Sequence, residues 1–269
     1  MKVWEGMLPS FDGTELYVKK EIPEDSRAVA VIVHGICEHQ GRYDHVAERL
    51  HESGIGTYRF DHRGHGRSQG ERGHFSAYTD PLRDTDMVVD AAIGENPGLP
   101  VFLIGHSMGG FTVSLYGAAY PNKAIRGIVT SGAMTHDQNG TTNIPDGMDV
   151  TIQVPNELGP GICSVPEVVE EYGRDPYNGK VFTVGMVYAL RDGVAWFSEA
   201  ARDFAYPILM LHGEKDPIIN VKDTLLFFDK AASTDRQMKI YGGLYHEIFN
   251  EYCRDEVIAD AVNWILKRV

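Results

Sequence analysis

The run Val101-Phe102-Leu103-Ile104-Gly105-His106-Ser107-Met108-Gly109-Gly110 constrains the fold more than any other stretch of the chain. Four apolar residues read as a buried strand, a Gly-x-Ser-x-Gly turn follows, and small residues open a helix. That order describes a sharp strand-to-helix turn that lifts one serine oxygen above a sheet. Glycines flank such a turn because neighbouring backbone approaches closely. The pentapeptide pattern recurs at Gly66-Arg67-Ser68-Gln69-Gly70, so the pattern alone does not name a nucleophile. Ser68 follows a strand-like segment but leads into a long polar loop. Only Ser107 has both the strand before it and the helix after it.

Around this turn, strand-like and helix-like segments alternate, the signature of an α/β sheet. Two opening strands are predicted at 2–9 and 15–22, with Asp12-Gly13 as the turn. Strands at 28–33, 55–60, 101–104 and 125–130 then alternate with helices at 43–53, 80–93 and 108–119, the last ended by Pro121. Apolar residues on both faces of Val29 to Val33 suit a parallel sheet covered on both sides. The alternation lapses between about Gly132 and Asp203, then resumes with strands at 207–212 and 237–241 and helices at 221–232 and 251–267. The expected organisation is a core of residues 1–131 and 204–269 carrying an inserted cap at 132–203. Such an insertion would cover the carboxyl edge of the sheet, where ligands bind in open α/β folds.

Composition narrows the function classes. Formal net charge is −13, which argues against nucleic acid or anionic lipid as the main partner. The amino-terminal residues lack an apolar signal segment, and no stretch approaches the roughly 18 apolar residues of a membrane span. Three widely spaced cysteines, Cys37, Cys163 and Cys253, do not suggest a disulfide framework. A cytoplasmic protein without integral membrane contact is expected; its oligomeric state is open, and a dimer is compatible with the sequence.

A serine hydroxyl needs a base, and the base needs an orienting acid. After Ser107 the chain offers His136, His212 and His246. His246 lies in the glycine-rich loop between the last strand and the last helix, where an imidazole could reach a nucleophile. Asp216 follows the strand ending at His212 and is the expected acid, with Glu214 as its rival. Oxyanion donors should be the N–H of Met108, after the nucleophile, and the N–H of Ile36 in His34-Gly35-Ile36-Cys37-Glu38-His39. His62 and His65 lack companion ligands at metal spacing, and Gly64–Gly70 lacks a phosphate-loop ending. No metal and no cofactor are expected.

Residues His34 to Tyr43, Phe60 to Ser68, Gly105 to Gly110, Asp175-Pro176, His212 to Asp216 and Tyr241 to His246 together resemble the monoacylglycerol lipase and lysophospholipase branch of the α/β-hydrolases. The resemblance spans nearly the whole chain. It implies a mostly parallel eight-stranded sheet flanked by helices, a triad at Ser107, Asp216 and His246, and oxyanion amides at Ile36 and Met108. It also implies a polar pocket for a glycerol head group involving Glu38 and Arg42. Cys37 departs from the glycine usual in that family.

The expected chemistry is hydrolysis of a small acyl ester, with monoacylglycerols leading, by way of an acyl-enzyme. Lysophospholipids, aromatic-acid esters and amides are alternatives on the same triad, as is a non-catalytic binding protein on the same fold. In the cap, Met186, Leu190 and Val194 recur at four-residue spacing and make a helical apolar stripe. Met186 and Leu190 are the expected acyl contacts.

Overall fold

The computed structural model describes residues 1–269. In the first half, β1 (Lys2–Pro9), β2 (Glu15–Ile22) and β3 (Ala28–Val33) precede α1 (Asp44–Glu52), which one 3₁₀ turn introduces. There follow β4 (Ile55–Phe60), α2 (Thr79–Glu95), β5 (Val101–His106), α3 (Met108–Ala119) and β6 (Ile125–Ser131). A long segment then brings β7 (Gln153–Pro155), α4 (Gly159–Ile162), α5 (Pro166–Arg174), β8 (Val181–Thr183) and α6 (Val184–Ala200). The chain ends with β9 (Ile208–Gly213), α7 (Val221–Lys230), β10 (Arg236–Tyr241) and α8 (Arg254–Leu266).

The main sheet has eight strands in the order β1-β2-β4-β3-β5-β6-β9-β10. Only β2 runs against its neighbours; the six strands from β4 to β10 are parallel. This is the predicted sheet. Every residue of β3 and β5 is buried, because parallel strands joined by helical crossovers are covered on both faces. Val29, Val31, Val33 and Leu103 face α2 and α3 through Val88, Phe111 and Leu115. Ala28, Ala30, Ile32, Phe102 and Ile104 face α1 and α8 through Val46, Leu50, Trp264 and Ile265. Period-two alternation thus divides each strand between two cores.

Between β6 and β9 the chain leaves the sheet. Strands β7 and β8 pair antiparallel in a separate ribbon. Thr183 caps α6, its hydroxyl accepting from the Met186 N–H at 3.2 Å. This segment docks on loops at the carboxyl ends of the central strands. The Gly179 N–H donates to the Cys37 carbonyl at 3.0 Å, and the Thr183 N–H to the Gly73 carbonyl at 2.8 Å. No helix is long and apolar enough to cross a membrane.

Candidate active site

Ser107 sits at the turn between β5 and α3 with φ 55° and ψ −118°. A non-glycine residue in this region carries a strain of about 1–3 kcal/mol, which persists only where surrounding structure enforces it. Here it does: the Ser107 N–H donates to the Ser131 carbonyl at 2.8 Å, and the Ser107 carbonyl accepts from the Phe111 N–H at 2.8 Å. The flanking glycines serve close approach. A methyl at Gly105 would lie 2.4 Å from the Gly109 oxygen, and one at Gly109 would lie 2.0 Å from the Val33 oxygen. Gly109 therefore lets the start of α3 press against the end of β3. Ser68, by contrast, is buried and committed, donating to the Asp61 carbonyl at 2.6 Å and accepting from the Tyr17 N–H at 2.8 Å.

Asp216 and His246 come together across 30 residues of sequence, His246 Nδ1 donating to Asp216 Oδ2 at 2.6 Å. The other carboxylate oxygen accepts the Ile218 and Ile219 N–H groups, each at 2.9 Å, which fixes the rotamer. Burial opposes ionisation of Asp216, but His246 and His212 hold its carboxyl well below the ordinary range. For His246, burial works against the imidazolium; Asp216 outweighs it, aided by Glu247 and Glu38, and the pKa is raised. The His106 ring, one residue before Ser107, lies 4.6 Å from the His246 ring and sets that imidazole beside the turn. Burial and the neighbouring His246 press His106 down to about 3, so it stays neutral. Glu214 points elsewhere and accepts the Gly243 N–H at 3.0 Å. His136 stands in the loop after β6, its N–H donating to Asp223.

The N–H of Met108 opens α3, where no intrahelical acceptor exists, and the N–H of Ile36 donates to no other backbone group. The peptide that carries the Ile36 N–H is pinned from its far side. His34 Nδ1 donates to the Gly35 carbonyl at 2.7 Å, while His34 Nε2 accepts the His62 N–H at 2.9 Å. Those two bonds require one neutral tautomer, and burial holds the His34 pKa well down. Because a peptide is planar, locking its oxygen locks its N–H. Nothing in the local sequence singled out His34 for this role.

Ile36, Ser107 and Met108 share a cavity of about 90 Å³ with Met134, Leu158, Phe182, Val187, Leu190, Ile218 and Ile219. Thr141 and Thr142 complete its wall, and both hydroxyls donate to the Asp137 carboxylate, at 2.6 and 2.5 Å. The wall is thereby apolar although two threonines line it. Of the two residues expected to meet an acyl chain, Leu190 lines this cavity and Met186 does not. Met186 is fully buried in the core, and Val187, the next residue round the helix, takes the place on the wall.

Glu38 and Arg42, the residues expected at a polar head-group pocket, join a buried ion-pair network. Neither lines the Ser107 cavity. Glu38 Oε1 accepts the Gly35 N–H at 2.5 Å and the Tyr43 hydroxyl at 2.7 Å, and Oε2 accepts Arg42 Nη1 at 2.8 Å. Arg42 then forks onto Glu247, at 2.5 and 2.7 Å. Burial raises the Glu38 carboxyl, whereas Arg42 overcomes burial at Glu247 and brings it down to about 2. Cys37, the departure from glycine, adopts φ 57°. Its side chain is buried and turned away from Ser107, against Gly179 and Val181.

Known proteins resemble this chain along its length. A monoacylglycerol lipase of Mycolicibacterium smegmatis is 37% identical over 91% of this chain and 90% of its own. The monoglyceride lipase of Homo sapiens is 30% identical over 97% of this chain and 90% of its own. The crystal structure of Paleococcus ferrophilus monoacylglycerol lipase superposes with a TM-score of 0.86 at 28% identity, covering 95% of this chain and all of that one. Residues 24–252 match the family described as serine aminopeptidase, S33, and the chain belongs to that family of α/β-hydrolases.

Proposed function

We propose that this protein is a serine carboxylester hydrolase that cleaves monoacylglycerols through an acyl-enzyme. The observation that carries the reading is a strained Ser107 at an apolar cavity beside the hydrogen-bonded His246–Asp216 pair. Ser107 Oγ attacks the ester carbonyl as His246 Nε2 takes its proton, and Asp216 stabilises the imidazolium. The Ile36 and Met108 amides hold the oxyanion. Collapse of the tetrahedral intermediate breaks the bond to the alcohol, which leaves with the proton from His246. Water, deprotonated by His246, then attacks the acyl-enzyme and frees the carboxylic acid and Ser107.

The relatives named as monoacylglycerol lipases support this substrate class. Residues 132–203 act as a cap whose apolar wall takes the acyl chain, each buried methylene adding about 0.8 kcal/mol. The reaction runs on protein groups alone, in the cytoplasm. A family described by a serine aminopeptidase makes amides the second reading. A fluorophosphonate probe should label the folded wild type and Ser68→Ala but not Ser107→Ala. A panel of monoacylglycerols, lysophospholipids, aromatic-acid esters and aminoacyl amides should then show monoacylglycerols turning over fastest. An unlabelled wild type overturns the mechanism, and faster amide turnover overturns the substrate class.

A further inference from the structure

The loop that presents the Ile36 amide and the loop that presents His246 lie at opposite ends of the chain. A single side chain spans them. Arg42 Nη1 donates to Glu38 at 2.8 Å, and both Nη1 and Nη2 donate to Glu247, 205 residues away in sequence. At one end of this chain of bonds, Glu38 holds the Gly35 N–H. At the other, Glu247 adjoins His246, and its N–H donates to the Ile162 carbonyl at 2.7 Å. The three side chains are 4, 10 and 5% exposed, in the order Glu38, Arg42, Glu247. The guanidinium also stacks 4.9 Å from the Tyr172 ring of α5.

We propose that Arg42 is a positioning residue for ester hydrolysis, a bidentate clamp that holds the oxyanion amide and the His246 imidazole in one frame and neutralises the carboxylates beside that imidazole. This inference rests on the roles of Ser107, His246 and Ile36 proposed above. A buried ion pair as such is weak evidence for stability, since desolvation offsets its attraction. Its placement here gives it another consequence. A planar fork fixes direction as well as distance, which lysine does not. The charged and titratable groups facing His246 are Asp216 from the β9–α7 loop, Glu247 from its own loop, Glu38 and Arg42 from the β3–α1 loop, and His106 from β5. Arg42 is the cation among them, while His106 is neutral.

Three variants separate geometry from charge. Removing the cation in Arg42→Met leaves Glu38 and Glu247 uncompensated, which stabilises the imidazolium. The acid limb of kcat/KM should then move up by about half a pH unit. The kcat should fall about 100-fold with KM changed less than about threefold, as for loss of an aligned oxyanion donor. Arg42→Lys keeps the charge and loses the fork, so the limb should stay in place while kcat still falls. Glu247→Gln removes a carboxylate and should move the limb down. Short-chain monoacylglycerol hydrolysis against pH is the assay, with thermal melts of each variant.

Limbs that stay put in both charge-changing variants, or move the same way, overturn the proposal. So does a raised KM with unchanged kcat, the behaviour of a head-group contact. Should Arg42→Met not fold, Arg42→Lys and Glu247→Gln still carry the opposed predictions. A wild type that neither hydrolyses esters nor takes the fluorophosphonate sinks the reading of the site itself. An active, labelled wild type with unmoved limbs sinks the clamp alone.

Discussion

Replacing Gly109 with alanine adds one methyl group, and the structure states what that methyl would meet. It would lie 2.0 Å from the Val33 oxygen, 2.5 Å from the Val33 carbonyl carbon and 2.6 Å from the His34 oxygen. All three are backbone atoms of the strand end that leads into Ile36, so no side-chain rotation relieves the contact. Restoring van der Waals separation requires α3 and the end of β3 to part by about 1 Å. Overpacking of this kind costs about 1–3 kcal/mol, or roughly 3–10 °C in Tm for a chain of this size. Activity should suffer more, because Met108 and Ile36 sit on the two parts that separate. A misplacement of about 1 Å lowers kcat by about 100-fold. Steady-state hydrolysis of a short monoacylglycerol, paired with calorimetry, measures both. Gly94→Ala and Gly173→Ala are the controls: both are exposed helical glycines with nothing within 4 Å of an added methyl. They should raise stability by about 0.5–1 kcal/mol and leave kcat unchanged. A folded Gly109→Ala with kcat within about threefold of wild type would refute the argument that close approach builds the oxyanion site.

Asp216→Asn keeps an acceptor for the Ile218 and Ile219 amides but turns a donor toward His246. The imidazole must then take the wrong tautomer, and kcat should fall about 10³–10⁴-fold with little change in Tm, as read by single-turnover kinetics and melts. Because the His246 pKa is raised, the imidazolium persists above the usual value near 6.5. The acid limb of kcat/KM should therefore lie above pH 6.5, with activity rising as pH increases through it, and a limb below 6.5 contradicts the site electrostatics. Val187→Ala should widen the apolar cavity and shift acyl preference toward longer or branched chains. Met186→Ala should instead cost about 2–5 kcal/mol of stability with preference unchanged, and a chain-length panel with denaturant melts distinguishes the two. Ser68→Ala should keep full labelling and lose about 1–3 kcal/mol of stability, since it strands the Tyr17 N–H.

Features encoded within a few residues were legible before the structure. The strands at 2–9, 15–22, 28–33 and 55–60 coincide with those observed: the latter two, parallel to each other, are short apolar runs between turns, and the antiparallel opening pair is marked by its Asp12-Gly13 turn. The Gly-x-Ser-x-Gly turn was legible for the same reason, its flanks being as local as its core. The apolar stripe of helix α6 is legible in the sequence, but not which of its residues reach the cavity: Leu190 does and Met186 does not. The helix is buried against α3 on one side and lines the cavity on another, so Met186, Val187, Leu190 and Val194 are all buried. An apolar stripe cannot say which of two apolar surroundings it faces. The Glu38–Arg42–Glu247 bonds join loops 205 residues apart, and no local periodicity carries such a pairing. Resemblance placed Glu38 and Arg42 at the site, whereas their partners were set by the tertiary fold. Cys37 stands where the resemblance implies glycine, and the position adopts φ 57°, where glycine is unstrained and cysteine is not.

The most direct test is to catch the acyl group. Turnover of a monoacylglycerol or an activated short-chain ester, quenched in acid, should leave one acyl group on the protein, and peptide mapping should place it on Ser107. Ser107→Ala should carry no adduct and hydrolyse no ester. An adduct on Ser68 or elsewhere, or ester turnover that persists in Ser107→Ala, would contradict the account at its centre.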